Sequence, residues 1–241
     1  MTGGSVPVAD GTLFVVVSPA RTIAFLLLAF FVGSIPFGLI VGRLFFRRDI
    51  RTSGSGNIGA ANALRTFGRG AGIAVLLLDA LKGALPVLAF RTFVASEVAG
   101  LHEAGPASDS QLAAIAVMLS FTIPLAGLAA VLGHCYSPWL RFRGGKGVAT
   151  FLGATIALSP PAGLAFAVVW AAVALPTGFA SAASLAATVA AGAVLVVAAR
   201  GAWPTFVYGL GCALVIFWRH RENLGRLRAG TETKTSLLKR G

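Results

Sequence analysis

Long apolar stretches in this chain alternate with short polar ones rich in glycine and basic residues. Residues 22–44, 72–94 and 111–132 each reach the length of about 20 residues that an apolar helix needs to cross hydrocarbon. Residues 184–199 and 205–218 give two shorter candidates. Between them, 148–175 is apolar but is cut by Ser159-Pro160-Pro161 into halves of about 11 and 14 residues, too short to cross singly. Tandem proline ends the first half and starts the second. The pattern predicts either a pair that dips in and returns or two tilted short helices. Counting both halves, the expectation is an all-α integral membrane protein of about seven transmembrane helices, one pair of them broken. It forms a single membrane-embedded domain over 1–241, with tails at 1–20 and 219–241.

Composition agrees with that pattern. Only 12% of residues are charged and mean hydropathy is +0.84, where soluble domains carry about 25% charged residues. Such a chain cannot cover a water-facing surface. Sixteen of the 20 Lys and Arg fall in three segments, 43–69, 141–146 and 219–240. Lys82 lies within a span, and Arg21, Arg91 and Arg200 remain for the other side, beside Glu97, Glu103 and Asp109. The basic side of a multi-pass protein is cytoplasmic, so the N-terminus is expected outside and the C-terminus in the cytoplasm of a cell (plasma or inner) membrane. The basic excess then reads as topology and contact with anionic membrane lipid, with no nucleic acid partner. It exceeds what orientation needs and leaves room for an anionic substrate. Residues 1–19 lack a basic n-region and a cleavage signal, and read as a tail into an uncleaved span. Cys135 and Cys212 have no metal-type spacing, so free thiols and no metal site are expected.

The chemistry-bearing residues sit in the three basic segments. The first holds Ser53, Gly54, Ser55, Gly56, Asn57, Asn62 and Arg65. Closely spaced glycines let backbone N–H groups converge on an anion, and Arg65 adds a forked charge suited to phosphate; an ordinary polar loop has the same composition. The second runs from His134 to Gly144-Gly145-Lys146-Gly147, where glycines, a lysine and a helix start offer N–H groups to an anion. It is not a Walker A loop, whose spacing is absent. His134 reads either as a helix C-terminal cap or as a site residue. The third holds Arg219, His220 and Asn223, the last two sharing a helix face, and closes with Gly230-Thr231-Glu232. A snorkelling belt of interfacial charge is its plain alternative. Ser181 and Ser184 open a helix on the same side. Asp79 and Lys82, three residues apart inside a span, read as a self-neutralising pair or as a site lysine with its partner.

Taken in order, Gly54-Ser-Gly-Asn-Ile-Gly-Ala-Ala-Asn62 with Arg65, Asp79-x-x-Lys82-Gly83, Gly133-His134 leading into Gly144-Gly-Lys-Gly-Val-Ala-Thr150, and Arg219-His-Arg-Glu-Asn-Leu224 with Gly230-Thr-Glu232 resemble the PlsY-type acyl-phosphate:glycerol-3-phosphate acyltransferases of bacterial membranes. Ala61 stands where the family usually has Thr, and Arg143 where Lys is common. In Tyr136-Ser137-Pro138 the proline falls one place later than is typical. The resemblance implies transfer of a fatty acyl group from acyl phosphate to glycerol 3-phosphate, giving lysophosphatidate and phosphate, the first step of membrane phospholipid synthesis. It implies catalytic roles for Ser55, Arg65, Lys146, His220 and Asn223. It implies substrate contacts from Ser53, Gly54, Gly56, Asn57, Asn62, Gly144, Gly145, Gly147, Ser181, Arg219 and Glu232. Because the donor is already activated, no cofactor is expected. The proton acceptor is left open between His220 and a phosphate oxygen of the donor. Two other classes compete. A transporter or channel for an anionic solute would use the broken helices and intramembrane charge. A lipid-binding scaffold would hold anionic lipid without turnover.

Overall fold

The computed structural model describes residues 19–103, 108–200 and 203–235; the expectations for residues 1–18 and 236–241 fall outside them. Every regular element described is helical: α1 (Pro19–Ser34), α2 (Phe37–Phe46), α3 (Ala60–Phe67), α4 (Arg69–Glu103), α5 (Asp109–Cys135), α6 (Val148–Leu158), α7 (Pro160–Thr177), α8 (Ala180–Ala198), α9 (Trp203–Arg219) and α10 (Arg221–Arg228), with single 3₁₀ turns at Ile50–Thr52 and Pro138–Leu140. Among the described residues, five stretches are long and apolar enough to cross a membrane: Ala20–Phe46, Arg69–Ser96, Phe121–Leu140, Pro160–Thr177 and Ala180–Ala198. Many large apolar side chains face outward, among them Leu27, Leu44, Leu77, Leu164, Val197 and Leu214. That is the expected surface of a protein whose solvent is lipid. The buried core is built around Phe90, Phe151, Phe166, Leu195 and Tyr208.

Three elements depart from the sequence expectation. The first span is broken at Ile35–Pro36, because Pro36 has no N–H to continue the helix. The carbonyls freed there are not left bare in a low-dielectric setting. Lys82 Nζ donates to Ile35 O at 2.7 Å, and Ser137 Oγ donates to Ser34 O at 2.7 Å. The second departure is the length of α7. It has 18 residues rather than about 14, because Pro160 and Pro161 fill its first turn, where N–H groups have no helical partner anyway, and Pro176 and Thr177 extend its last turn. The break at Ser159 is as expected, and α6 is short at 11 residues. Arg91 Nη1 donates to Ala157 O at 2.9 Å and so satisfies one of the orphan carbonyls at the α6 C-terminus. The third is α8, which begins at Ala180, straight after Gly178 closes α7 in a left-handed conformation (φ 74°).

Helix α4 packs on α6 through two glycines. A Cβ on Gly83 would collide with the carbonyl of Thr150, and one on Gly153 with the carbonyl of Ala80. Backbone therefore meets backbone, as small residues permit in membrane interfaces. This seam fixes the N-terminal turn of α6 against the middle of α4. Gly153→Ala is expected to cost about 1–3 kcal/mol, the range for overpacking a tight interface. It will appear as a lowered unfolding temperature in detergent.

Candidate active site

The three basic segments meet at one cavity of about 330 Å³. Ser55, Asn57, Asn62, Arg65, Lys146, Gly147, Ser181, His220, Asn223 and Glu232 all line it, so ten of the sequence-derived candidates converge there. Leu76 of α4, Leu152 of α6 and Phe166, Ala167 and Trp170 of α7 line its apolar part. Ala61 and Ser184 also face it, and Trp170 Nε1 donates to Ser184 Oγ at 3.2 Å.

The polar wall is one connected network. Lys146 Nζ donates to Asn223 Oδ1, and Asn223 Nδ2 donates to Glu232 Oε1. The same carboxylate accepts from Ser181 Oγ at 2.7 Å and from Arg226 Nε at 2.7 Å. Glu232 lies on a strap after α10 that is held down by Thr235 N donating to Gly178 O at 2.7 Å and by Lys234 over the Phe179 ring. Burial alone would raise the Glu232 carboxyl, but hydrogen bonds from Asn223, Ser181 and Arg226 outweigh it and hold the group below its usual range. Burial pushes the Lys146 ammonium down to about 8; Arg226 and Arg65 push the same way, and Glu232 and Glu222 oppose them. His220 is pushed down to about 4 by burial and then by the Lys146 charge. Its Nδ1 lies 2.8 Å from Ile216 O. A carbonyl only accepts, so Nδ1 carries the proton and Nε2 of the neutral ring keeps a lone pair.

Six candidates do not line the cavity: Ser53, Gly54, Gly56, Gly144, Gly145 and Arg219. Their groups are engaged behind it. Gly54 and Gly56 take positive φ (58° and 69°) to turn the first loop. Asn62 is its staple: Nδ2 donates to the carbonyls of Ile50, Ser53 and Asn57, and Oδ1 accepts from Ser55 N at 2.8 Å. So Asn62 borders the cavity while its amide is fully occupied by the loop. Gly144 N donates to Cys135 O at 3.1 Å and Gly145 N to His134 O at 3.0 Å, which removes both from the pool of free donors. Arg219 grips the same two residues from the other side, donating through Nε to Gly145 O at 2.9 Å and through Nη2 to Gly144 O at 2.6 Å. N–H groups without a helical partner border the cavity at the first turns of α6 (Val148 and Ala149) and of α3 (Ala60 and Ala61). Arg65 anchors its Nε on Ala61 O at 3.0 Å, and the amino end of the fork has no partner among the described residues.

Asp79 and His134, which carry no assigned role from the sequence, also reach the cavity wall, as do Thr233 and Thr235 of the strap. Lys82 stands behind Asp79 at 2.8 Å, the ion pair that the i,i+3 spacing anticipates. Trp170, Phe166 and Leu152 have no signal in the sequence, since helices that are apolar on every side do not reveal which face lines a cavity.

A family model for glycerol-3-phosphate acyltransferase matches residues 23–230. The chain belongs to the glycerol-3-phosphate acyltransferase family. Proteins of that name from Methylorubrum populi and Ruegeria pomeroyi are 44% and 42% identical, covering 87% and 84% of this chain and 91% and 87% of their own. The Rubrobacter xylanophilus family member is 41% identical over 86% of this chain and 92% of its own. A crystal structure of PlsY (YgiH), an integral membrane glycerol 3-phosphate acyltransferase in its glycerol 3-phosphate form, superposes with TM-score 0.73 at 33% identity, covering 89% of this chain and 95% of that one. Its lysophosphatidic acid form gives TM-score 0.71 at 32% identity. The family's integral-membrane character accords with the apolar helices of this chain.

Proposed function

We propose that this protein transfers a fatty acyl group from acyl phosphate to a hydroxyl of glycerol 3-phosphate, releasing phosphate and lysophosphatidate. The observation that carries the reading is one cavity with Lys146 and Arg65 on its polar side and Leu76, Leu152, Phe166 and Trp170 on its apolar side. Two anionic substrates repel each other, and fixed cations in a partly desolvated site offset that repulsion. The apolar wall takes the acyl chain, where each buried CH₂ contributes about 0.8 kcal/mol. Attack of the hydroxyl oxygen on the acyl carbonyl breaks the carbonyl–phosphate bond, and the hydroxyl proton leaves with a base.

His220 suits the orienting part of that step better than the base part. Its Nε2 lone pair can accept the hydroxyl hydrogen, but a ring pushed down to about 4 is a weak proton acceptor at neutral pH. A phosphate oxygen of the donor is the better base, with the protein positioning the partners. His220→Gln is therefore expected to lower kcat about tenfold without changing the shape of the pH–rate profile. Removal of a true general base costs about 10²–10⁴, and a loss of that size with a lost acid limb would restore His220 to that role.

The proposed topology is about seven transmembrane helices, α6 and α7 forming the broken short pair, with the N-terminus outside, the C-terminus cytoplasmic and the site facing the cytoplasm of the inner or plasma membrane. Its support is the charge distribution and the origin of the site at helix ends: Lys146 before α6, Ser181 at the start of α8 and His220 after α9. That clustering at one end also weighs against a transporter, whose site is expected near the midplane. Purified protein with labelled glycerol 3-phosphate and either acyl phosphate or acyl-CoA tests the reaction. Product from acyl phosphate alone is expected; product from acyl-CoA alone, or flux of glycerol 3-phosphate into liposomes without acylation, would overturn the reading.

A further inference from the structure

Behind the Lys146 loop lies a run of buried polar groups that the acyl-transfer reading leaves unassigned. The side chains of Lys82 and Asp79 are 2% and 1% exposed. His134, in the last turn of α5, places Nδ1 3.7 Å from Asp79 Oδ1, an electrostatic contact longer than a hydrogen bond. The Nε2 side of the same ring fills the space that a Cβ on Gly145 would need. Lys82 ties the group to the α1–α2 break through Ile35 O. A self-neutralising pair would be complete with Asp79 and Lys82 alone. It does not account for an imidazole wedged between the carboxylate and the backbone of the loop that carries Lys146. Nor does it account for both Asp79 and His134 bordering the cavity. Buried polar groups of this kind carry a cost that structure alone does not require.

We infer that Asp79 and His134 are positioning residues: the carboxylate, pinned by Lys82, orients the imidazole, and the imidazole seats Gly144 and Gly145 so that Lys146 points into the cavity. The loop is thereby gripped on two sides, by the His134 ring and carbonyl on one and by the Arg219 fork on the other. Any side chain at 145 would displace the His134 ring, because the ring lies where its Cβ would start. The inference deepens the acyl-transfer reading and rests on it for its effect on rate, but its geometric content can be read without turnover.

The experiment follows Lys146 itself. Full-length Asp79→Asn and His134→Gln are purified in detergent, and the acetylation rate of Lys146 by acetic anhydride is measured against pH by mass spectrometry. The groups facing Lys146 are Arg65 of α3, His220 at the α9–α10 junction, Glu222, Asn223 and Arg226 of α10, and Glu232 of the strap. None of them is replaced in either variant. In the unaltered protein the reactivity midpoint is expected near 8. In both variants it is expected to rise by at least about half a pH unit toward the ordinary lysine value of about 10.4 as the loop loosens into water, with kcat/KM down at least about tenfold. A purely structural role would lower yield or melting temperature and leave the midpoint where it was. An unchanged midpoint in a folded variant overturns the inference. Should Asp79→Asn fail to fold, His134→Gln, which removes no buried carboxylate, decides alone. A shifted midpoint in a protein that shows no acyl transfer even unmutated would leave the inference standing and sink the functional reading instead.

Discussion

Lys146→Ala is expected to lower kcat/KM by about 10³-fold, the upper range for removing one preorganised group that faces developing charge in a dry site. Lys146 is the cation of the second basic segment that reaches the cavity, and its ammonium is held by Asn223. Removing it leaves Arg65 alone to offset two phosphates and leaves Asn223 Oδ1 without its donor. Because the ammonium is pushed down to about 8, the protonated form prevails below that pH and is lost above it. The unaltered protein should accordingly lose activity as pH rises through about 8. Lys146→Arg keeps a charge that does not titrate in this range, so it should retain part of the activity and show no such alkaline loss. Initial rates of labelled lysophosphatidate formation between pH 6 and about 9.5 separate the three proteins. An alanine variant with unchanged kcat and KM would remove Lys146 from the site.

Glu232→Ala should be nearly as damaging, at about 10²-fold in kcat/KM, the lower range for losing one preorganised polar group of a site. Its carboxylate, 6% exposed in the side chain, accepts from Ser181, Asn223 and Arg226 at once. Without it the Asn223 amide loses its anchor, and the strap from Thr231 to Thr235 loses its main attachment to α8 and α10. There is also an electrostatic signature. Glu232 raises the affinity of Lys146 for its proton, so its removal should move the alkaline limb to lower pH and make the defect smaller at pH 6 than at pH 8. Glu232→Gln, which keeps hydrogen-bonding capacity without charge, should show the same displacement with a smaller loss. A defect uniform across pH would mean that the carboxylate acts on folding alone.

The membrane character, the ordered polar segments and their convergence are legible in residue types, because a charge-poor chain has few ways to place Arg65, Lys146 and His220. The direction in which each polar group points is not. Asn62, Arg219 and the Gly144-Gly145 pair have the chemistry of substrate ligands, yet their hydrogen bonds are taken by neighbouring loop backbone. A residue's type shows capacity for hydrogen bonding and nothing of whether the fold has already used it. The break at Pro36 is hidden for a related reason. Its flanks are continuously apolar, and what makes it tolerable are donors from Lys82 and Ser137, far away in sequence. The helix-opening role of the tandem proline is legible, but the added length of α7 is not, because Pro160, Pro161 and Pro176 all fall inside the helix although proline marks the edges of the apolar run.

The glycine seam between α4 and α6 constrains how the enzyme can breathe. Two rods whose main chains touch with no side chain between them cannot roll or slip without a steric collision, so Asp79 on one and the Lys146 end of the other form an unyielding anvil. Any gape needed to admit a long-tailed donor or discharge a long-tailed product must come from α7, α8 and the strap. There the polar ties around the cavity are individual hydrogen bonds, Trp170 to Ser184, Ser181 to Glu232 and Thr235 to Gly178, and one ring–cation contact, which thermal motion can make and break.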